Sequence, residues 1–123
     1  RSGAMKAEHD LPCPACGFLR FSGSYGSYDI CSLCDWEDDG VQLANPCSDG
    51  GANHKSLAQA QADALKQYPM QLQEVGGTKR SPQWRPLTPV ELSHFEKERA
   101  ASHWAHTAVV DEDEAYWTGQ AAP

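Results

Sequence analysis

Two cysteine pairs, Cys13-Pro14-Ala15-Cys16 and Cys31-Ser32-Leu33-Cys34, stand fourteen residues apart and constrain this chain more than any other feature. A Cys-x-x-Cys turn sets two sulfurs on one side of a tight loop. Two such loops joined by a hairpin complete a tetrahedral four-sulfur site, with Zn2+ as the expected metal on Cys13, Cys16, Cys31 and Cys34. Gly17 after Cys16 suits a turn whose amides point at metal-bound sulfurs, whereas Asp35, in the equivalent place after Cys34, is less permissive. Spacing alone does not separate zinc from iron held by four thiolates. Two disulfides would suit a secreted chain better than one with an odd fifth cysteine, Cys47, and a start lacking the charged-then-apolar layout of a signal peptide. A thioredoxin-type redox pair needs a strand-helix setting, and both pairs here sit beside hairpin signals.

Between the pairs, Phe18-Leu19-Arg20-Phe21 and Tyr25-Gly26-Ser27-Tyr28-Asp29-Ile30 flank Ser22-Gly23-Ser24, which predicts two short strands around a glycine turn. The reading is a zinc ribbon: knuckle, strand, turn, strand, knuckle. Metal supplies the stability that so small a hairpin cannot draw from apolar burial. The expected fold class is α+β, a small zinc-ribbon β-hairpin with a helical C-terminal extension.

Behind the second knuckle come Trp36 and the carboxylates Glu37, Asp38 and Asp39. With Cys13-Pro14, Tyr28-Asp29-Ile30-Cys31, Gly51-Ala52-Asn53 and Ser56-Leu57, this run resembles the cysteine-rich CPCC family of small bacterial proteins over about residues 11 to 67. Ala15 stands where the family name has its middle cysteine. The resemblance implies a non-enzymatic protein of the kind found beside bacterial toxins as immunity proteins. Two readings of Trp36 to Asp39 carry equal weight: a tryptophan packed under the ribbon with a solvated acidic turn, or an exposed anchor with carboxylates that grip a basic partner.

The stretch from Gln42 to Lys55 lacks apolar periodicity and reads as a loop, with Cys47 a free, partly buried thiol. Ser56-Leu57-Ala58-Gln59 has the form of a capping box, predicting a helix to about Tyr68, with Met70, Leu72 and Val75 extending it after a kink until Gly76-Gly77. Residues 76 to 87 read as a linker whose Lys79, Arg80 and Arg85 form the only basic patch and pair with the chain's own carboxylates. Thr88-Pro89-Val90-Glu91 predicts a second helix, from 89 to about 106. His103 and His106 read as surface residues rather than metal ligands. The tail joins Asp111, Glu112, Asp113 and Glu114 to Tyr116 and Trp117, either a disordered solubilising end or a segment that enters a basic groove.

The organisation expected is a cloning scar and lead-in over 1–9, a zinc-ribbon domain over 10–56, a helical extension over 57–107 and an acidic aromatic tail over 108–123. A net charge of -7 repels phosphate backbones and attracts a basic protein surface. No apolar run approaches the ~20 residues that span a bilayer, so no membrane partner is expected and the location expected is the cytoplasm. No catalytic constellation is visible, so no enzyme is expected. The function expected is a zinc-stabilised module that binds a basic toxin, with Trp36, Tyr116 and Trp117 as anchors and the two acidic clusters steering the encounter. The alternative is a zinc-ribbon nucleic-acid-binding or regulatory protein.

Overall fold

A computed structural model describes residues 10–119. The scar and lead-in expected over 1–9, and the last four residues of the expected tail, lie outside the described residues. Among the described residues the architecture is mixed α+β, with two antiparallel hairpins and three α-helices. The first hairpin pairs β1 (Leu11–Pro12) with β2 (Leu19–Phe21). Then come α1 (Gly40–Ala44) and α2 (Leu57–Gln67). The second hairpin joins β3 (Glu74–Val75) to β4 (Thr78–Lys79), and α3 (Pro89–Ala101) follows. A bridge between Phe18 and Arg80 stitches the two hairpins together.

The strand order differs from the expected ribbon. Phe18 to Phe21 contributes a strand, but its partner lies before the first knuckle, not in residues 25 to 30. The glycine turn at Ser22-Gly23-Ser24 leads instead to an excursion in which Tyr25 turns inward, its hydroxyl donating to Pro12 O at 2.7 Å. Each Cys-x-x-Cys turn is therefore the loop of its own miniature hairpin. The first is closed by β1 and β2, the second by a bridge between Ile30 and Glu37.

Both predicted capping sites start helices. Ser56 Oγ accepts from Gln59 N, and at α3 Thr88 and Glu91 exchange both bonds of the capping box. Glu91 also takes a two-pronged grip from Arg85, with both bonds 2.8 Å long. The Arg85 guanidinium holds its carboxyl below the usual range, so this contribution to stability is present at neutral pH and is lost as pH falls through the depressed value. α3 ends at Ala101, short of 106, where Ser102 turns extended and the chain folds back.

Three further expectations change. The first three residues of the expected 42–55 loop are the end of α1, which Asp39 caps through bonds to Val41 N and Gln42 N. Residues 70 to 75 do not prolong α2. Gly76 and Gly77, both at positive φ, form the two-residue turn of the β3-β4 hairpin, a conformation open to glycine without strain. The tail is neither loose nor extended as far as residue 119. Val109 N–H donates to Gly40 O, Tyr25 N–H to Val110 O, and two 3-10 turns set Trp117 edge-on to Tyr25. One buried cluster runs from Leu11 to Trp117.

Candidate metal centre

The two cysteine turns are built alike. Cys13 N–H donates to Phe18 O and Gly17 N–H to Cys13 O, while Cys31 N–H donates to Trp36 O and Asp35 N–H to Cys31 O, all at 2.8–2.9 Å. In each turn the residue after the second cysteine is left-handed, Gly17 at φ 81° and Asp35 at φ 68°. Repeating one turn and facing the copies brings four sulfurs together. All lie within 4.8 Å of one another, with Cys13 and Cys34 at 3.6 Å and Cys16 and Cys31 at 3.9 Å. A tetrahedron of sulfurs about 2.3 Å from its centre has edges of about 3.8 Å. The donor set fits one metal ion, and none of the cysteines is in a disulfide.

The electrostatics agree with that fit. Burial first, then hydrogen bonds with the other three thiols, pushes Cys13 well above the ordinary thiol range. Hydrogen bonds from Cys13, Cys16 and Cys34 pull Cys31 down. Thiolates packed this closely repel one another, and a bound cation offsets that repulsion. Leu33 N–H points at Cys31 Sγ at 3.4 Å, the kind of amide-to-sulfur contact that supports bound thiolates.

The first turn is packed from all sides. Trp84 lies on Gly17, where an added Cβ would sit 2.3 Å from the indole, and its Nε1 donates to Pro14 O. Gln61 of α2 donates to the same oxygen. Arg80 is buried, with its Nε on Cys16 O, its terminal nitrogens on the carbonyls of Tyr68, Pro69 and Leu72, and its guanidinium 4.4 Å from the Phe18 ring centroid. None of these three was expected at the centre. Arg80, which the sequence places in a basic patch paired with carboxylates, pairs instead with backbone carbonyls. Arg85 does pair with a carboxylate, Glu91.

The Trp36 to Asp39 run turns inward. Trp36 is 2% exposed, Asp38 1% and Asp39 5%, so these three are not surface anchors as structured here. Asp38 Oδ2 accepts from Ser27 N–H and Oγ–H at 2.9 and 2.7 Å. Asp39 caps α1 with one oxygen and accepts from Ala52 N–H with the other, which Gly51 allows by lacking a Cβ. Asn53 bonds both the N–H and the C=O of Glu37, and Gln42 holds Asn53 in turn. Glu37 keeps a half-exposed side chain. Gln42 and Asn53 carried no expectation, although Asn53 lies within Gly51-Ala52-Asn53, which contributed to the resemblance.

In the tail, Asp111, Asp113 and Glu114 are exposed and Glu112 half-buried. Trp117 is buried and donates to Glu112, and Tyr116 donates to Arg85 O while accepting from Gln61. The two aromatics therefore serve the fold rather than standing out from it. Burial pushes the Cys47 thiol up to about 11, so it stays protonated and weakly nucleophilic at neutral pH. His103 contacts Asp49 and His106 contacts Glu98, both partly exposed and away from the sulfurs. Among the described residues no helix is long and apolar enough to cross a membrane.

A comparison with curated proteins finds no match. A family model described as Cysteine-rich CPCC matches residues 11–83, more than half of the chain. The match covers both cysteine turns, the polar lock from Asp38 to Asn53, and α2. It runs past residue 67 to take in the second hairpin and Arg80, which brace the first turn. Ala15, at the place of the family name's middle cysteine, is fully buried, and the four-sulfur cluster is complete without a thiol there. The chain belongs to the Cysteine-rich CPCC family.

Proposed function

We propose that this protein is a non-enzymatic, zinc-stabilised binding module. The observation that carries the reading is the closed site: four cysteine sulfurs, three of them fully buried, fill a tetrahedral shell and leave no position for a substrate or water. Zinc is favoured over iron because a structural role needs no redox chemistry and suits a filled thiolate shell. The net charge of -7 directs the module toward a basic protein partner. The narrower reading is an immunity protein that covers a basic, possibly nuclease, toxin in the cytoplasm. It is supported by that charge, by the exposed carboxylates Asp111, Asp113 and Glu114, and by the kind of protein the family resemblance implies. The nucleic-acid alternative loses its basic patch, since Arg80 is buried and Arg85 is engaged by Glu91.

The test is protection. Co-produced with a basic toxin encoded beside its own gene, the protein should bind that toxin, more weakly as salt rises, and rescue growth. Tight binding to DNA or RNA at about 150 mM salt, with no protection, would overturn the reading.

A further inference from the structure

The small ladder behind the second cysteine turn has two edges, and only one is closed. Cys31 N–H donates to Trp36 O and Asp38 N–H to Asp29 O, so Ile30 and Glu37 face each other as a non-hydrogen-bonded pair. In such a pair the N–H and C=O of both residues point outward, away from the partner strand. On the Glu37 side, the Asn53 amide fills that edge as a neighbouring strand would, accepting from Glu37 N and donating to Glu37 O at 2.8 and 2.9 Å. On the Ile30 side, no described residue bonds either group.

The open edge carries side chains that fit a partner. Ile30 is 62% exposed and Tyr28, two residues earlier, 57%. Tyr28 is held at φ 64°, which costs a non-glycine residue about 1–2 kcal/mol. Its N–H bond to Asp38 O and the Asp38 clamp on Ser27 keep it there. Asp29 and Asp35 are exposed, Glu37 stands opposite Ile30, and Arg20 donates to Ser32 Oγ at the far end of the edge, leaving carboxylates in the majority. A second copy of this chain would bring the same carboxylates against one another.

We infer that residues 28 to 32 are a docking edge for an extended, basic segment of a partner protein. That segment adds as a strand to the Ile30 backbone, packs apolar side chains on Tyr28 and Ile30, and sets Lys or Arg against Asp29, Asp35 and Glu37. The inference rests on the binding-module reading and names the surface it uses.

The probe is a capped octapeptide alternating Lys and Val, titrated into the metal-loaded full chain and followed by amide NMR. The largest shifts should fall on residues 28 to 32, and an octapeptide alternating Glu and Val should bind at least tenfold more weakly. Ile30→Pro removes the outward N–H without touching the ladder bonds and should weaken binding at least tenfold. Should that variant lose its metal, N-methylation of alternate peptide residues, in each of the two registers, makes the same cut from the other side. One register should lose at least tenfold. Shifts centred elsewhere, or full affinity in both N-methylated peptides, would overturn the inference. So would a dimer of the free protein that Ile30→Pro dissolves, which would assign the edge to a second copy. If Ile30→Pro still protected fully against the toxin, this surface would be wrong while the binding reading stood.

Discussion

The two cysteine turns share one backbone geometry and are held in opposite ways. The first is a core element. Trp84, Gln61 and Arg80 converge on its carbonyls, and the left-handed position after its second cysteine is a glycine pressed against an indole. The second sits at the surface. Ser32 and Asp35 are exposed, the left-handed position is an aspartate, and support comes from the ring of polar bonds through Asp38, Asp39, Gln42 and Asn53. Burial together with hydrogen bonds to its carbonyls fixes the first turn, and the polar ring behind Trp36 fixes the second, so one side of the candidate site is enclosed while the other is exposed.

Removing the metal abolishes the comparison altogether and should have the largest effect. Cys31→Ser should release the ion and unfold at least residues 11 to 40, because an apparent binding energy of ~10 kcal/mol or more is also folding energy. Thermal unfolding and metal analysis of the variant check this, and an unchanged melting temperature would contradict it. Gly17→Ala attacks only the packed turn, adding a Cβ against Trp84 and a side chain at positive φ. The expected cost is about 3 kcal/mol by chemical denaturation, the sum of overpacking and strain.

Asp39→Ala attacks the polar turn instead. It removes the α1 cap and leaves Ala52 N–H without its acceptor, for an expected loss of about 2 kcal/mol by the same measurement. The smallest effect sharpens the contrast rather than breaking it. Asp35→Gly should stabilise the protein by about 1 kcal/mol, since glycine adopts φ 68° without strain and Asp35 faces solvent. A destabilised variant would show that the Asp35 side chain has a role in the turn.

What the sequence made legible follows the same division. The four ligands could be read because metal chemistry demands cysteine at fixed spacing. The starts of α2 and α3 could be read because a cap is a local device, with Ser56 and Thr88 each bonding three residues ahead. The strand pairing could not. Phe18 to Phe21 satisfies a strand pattern with either neighbour, and the choice of Leu11–Pro12 is made by the turn at Cys13 rather than by local preference. Trp36, Asp38 and Asp39 were equally plausible outside, because an acidic run looks solvated until Ser27, Ala52 and the α1 amides are known to meet it. Arg80 gave no signal at all, since its partners are carbonyls, which every residue carries.

The account depends on four sulfurs sharing one ion. X-ray absorption at the metal edge of the purified protein, combined with native mass spectrometry, tests this most directly. One zinc per chain is predicted, with a shell of four sulfurs at about 2.3 Å and no nitrogen or oxygen ligand. Absence of bound metal, a shell of mixed sulfur and nitrogen, or a mass showing paired disulfides among Cys13, Cys16, Cys31 and Cys34 would contradict it.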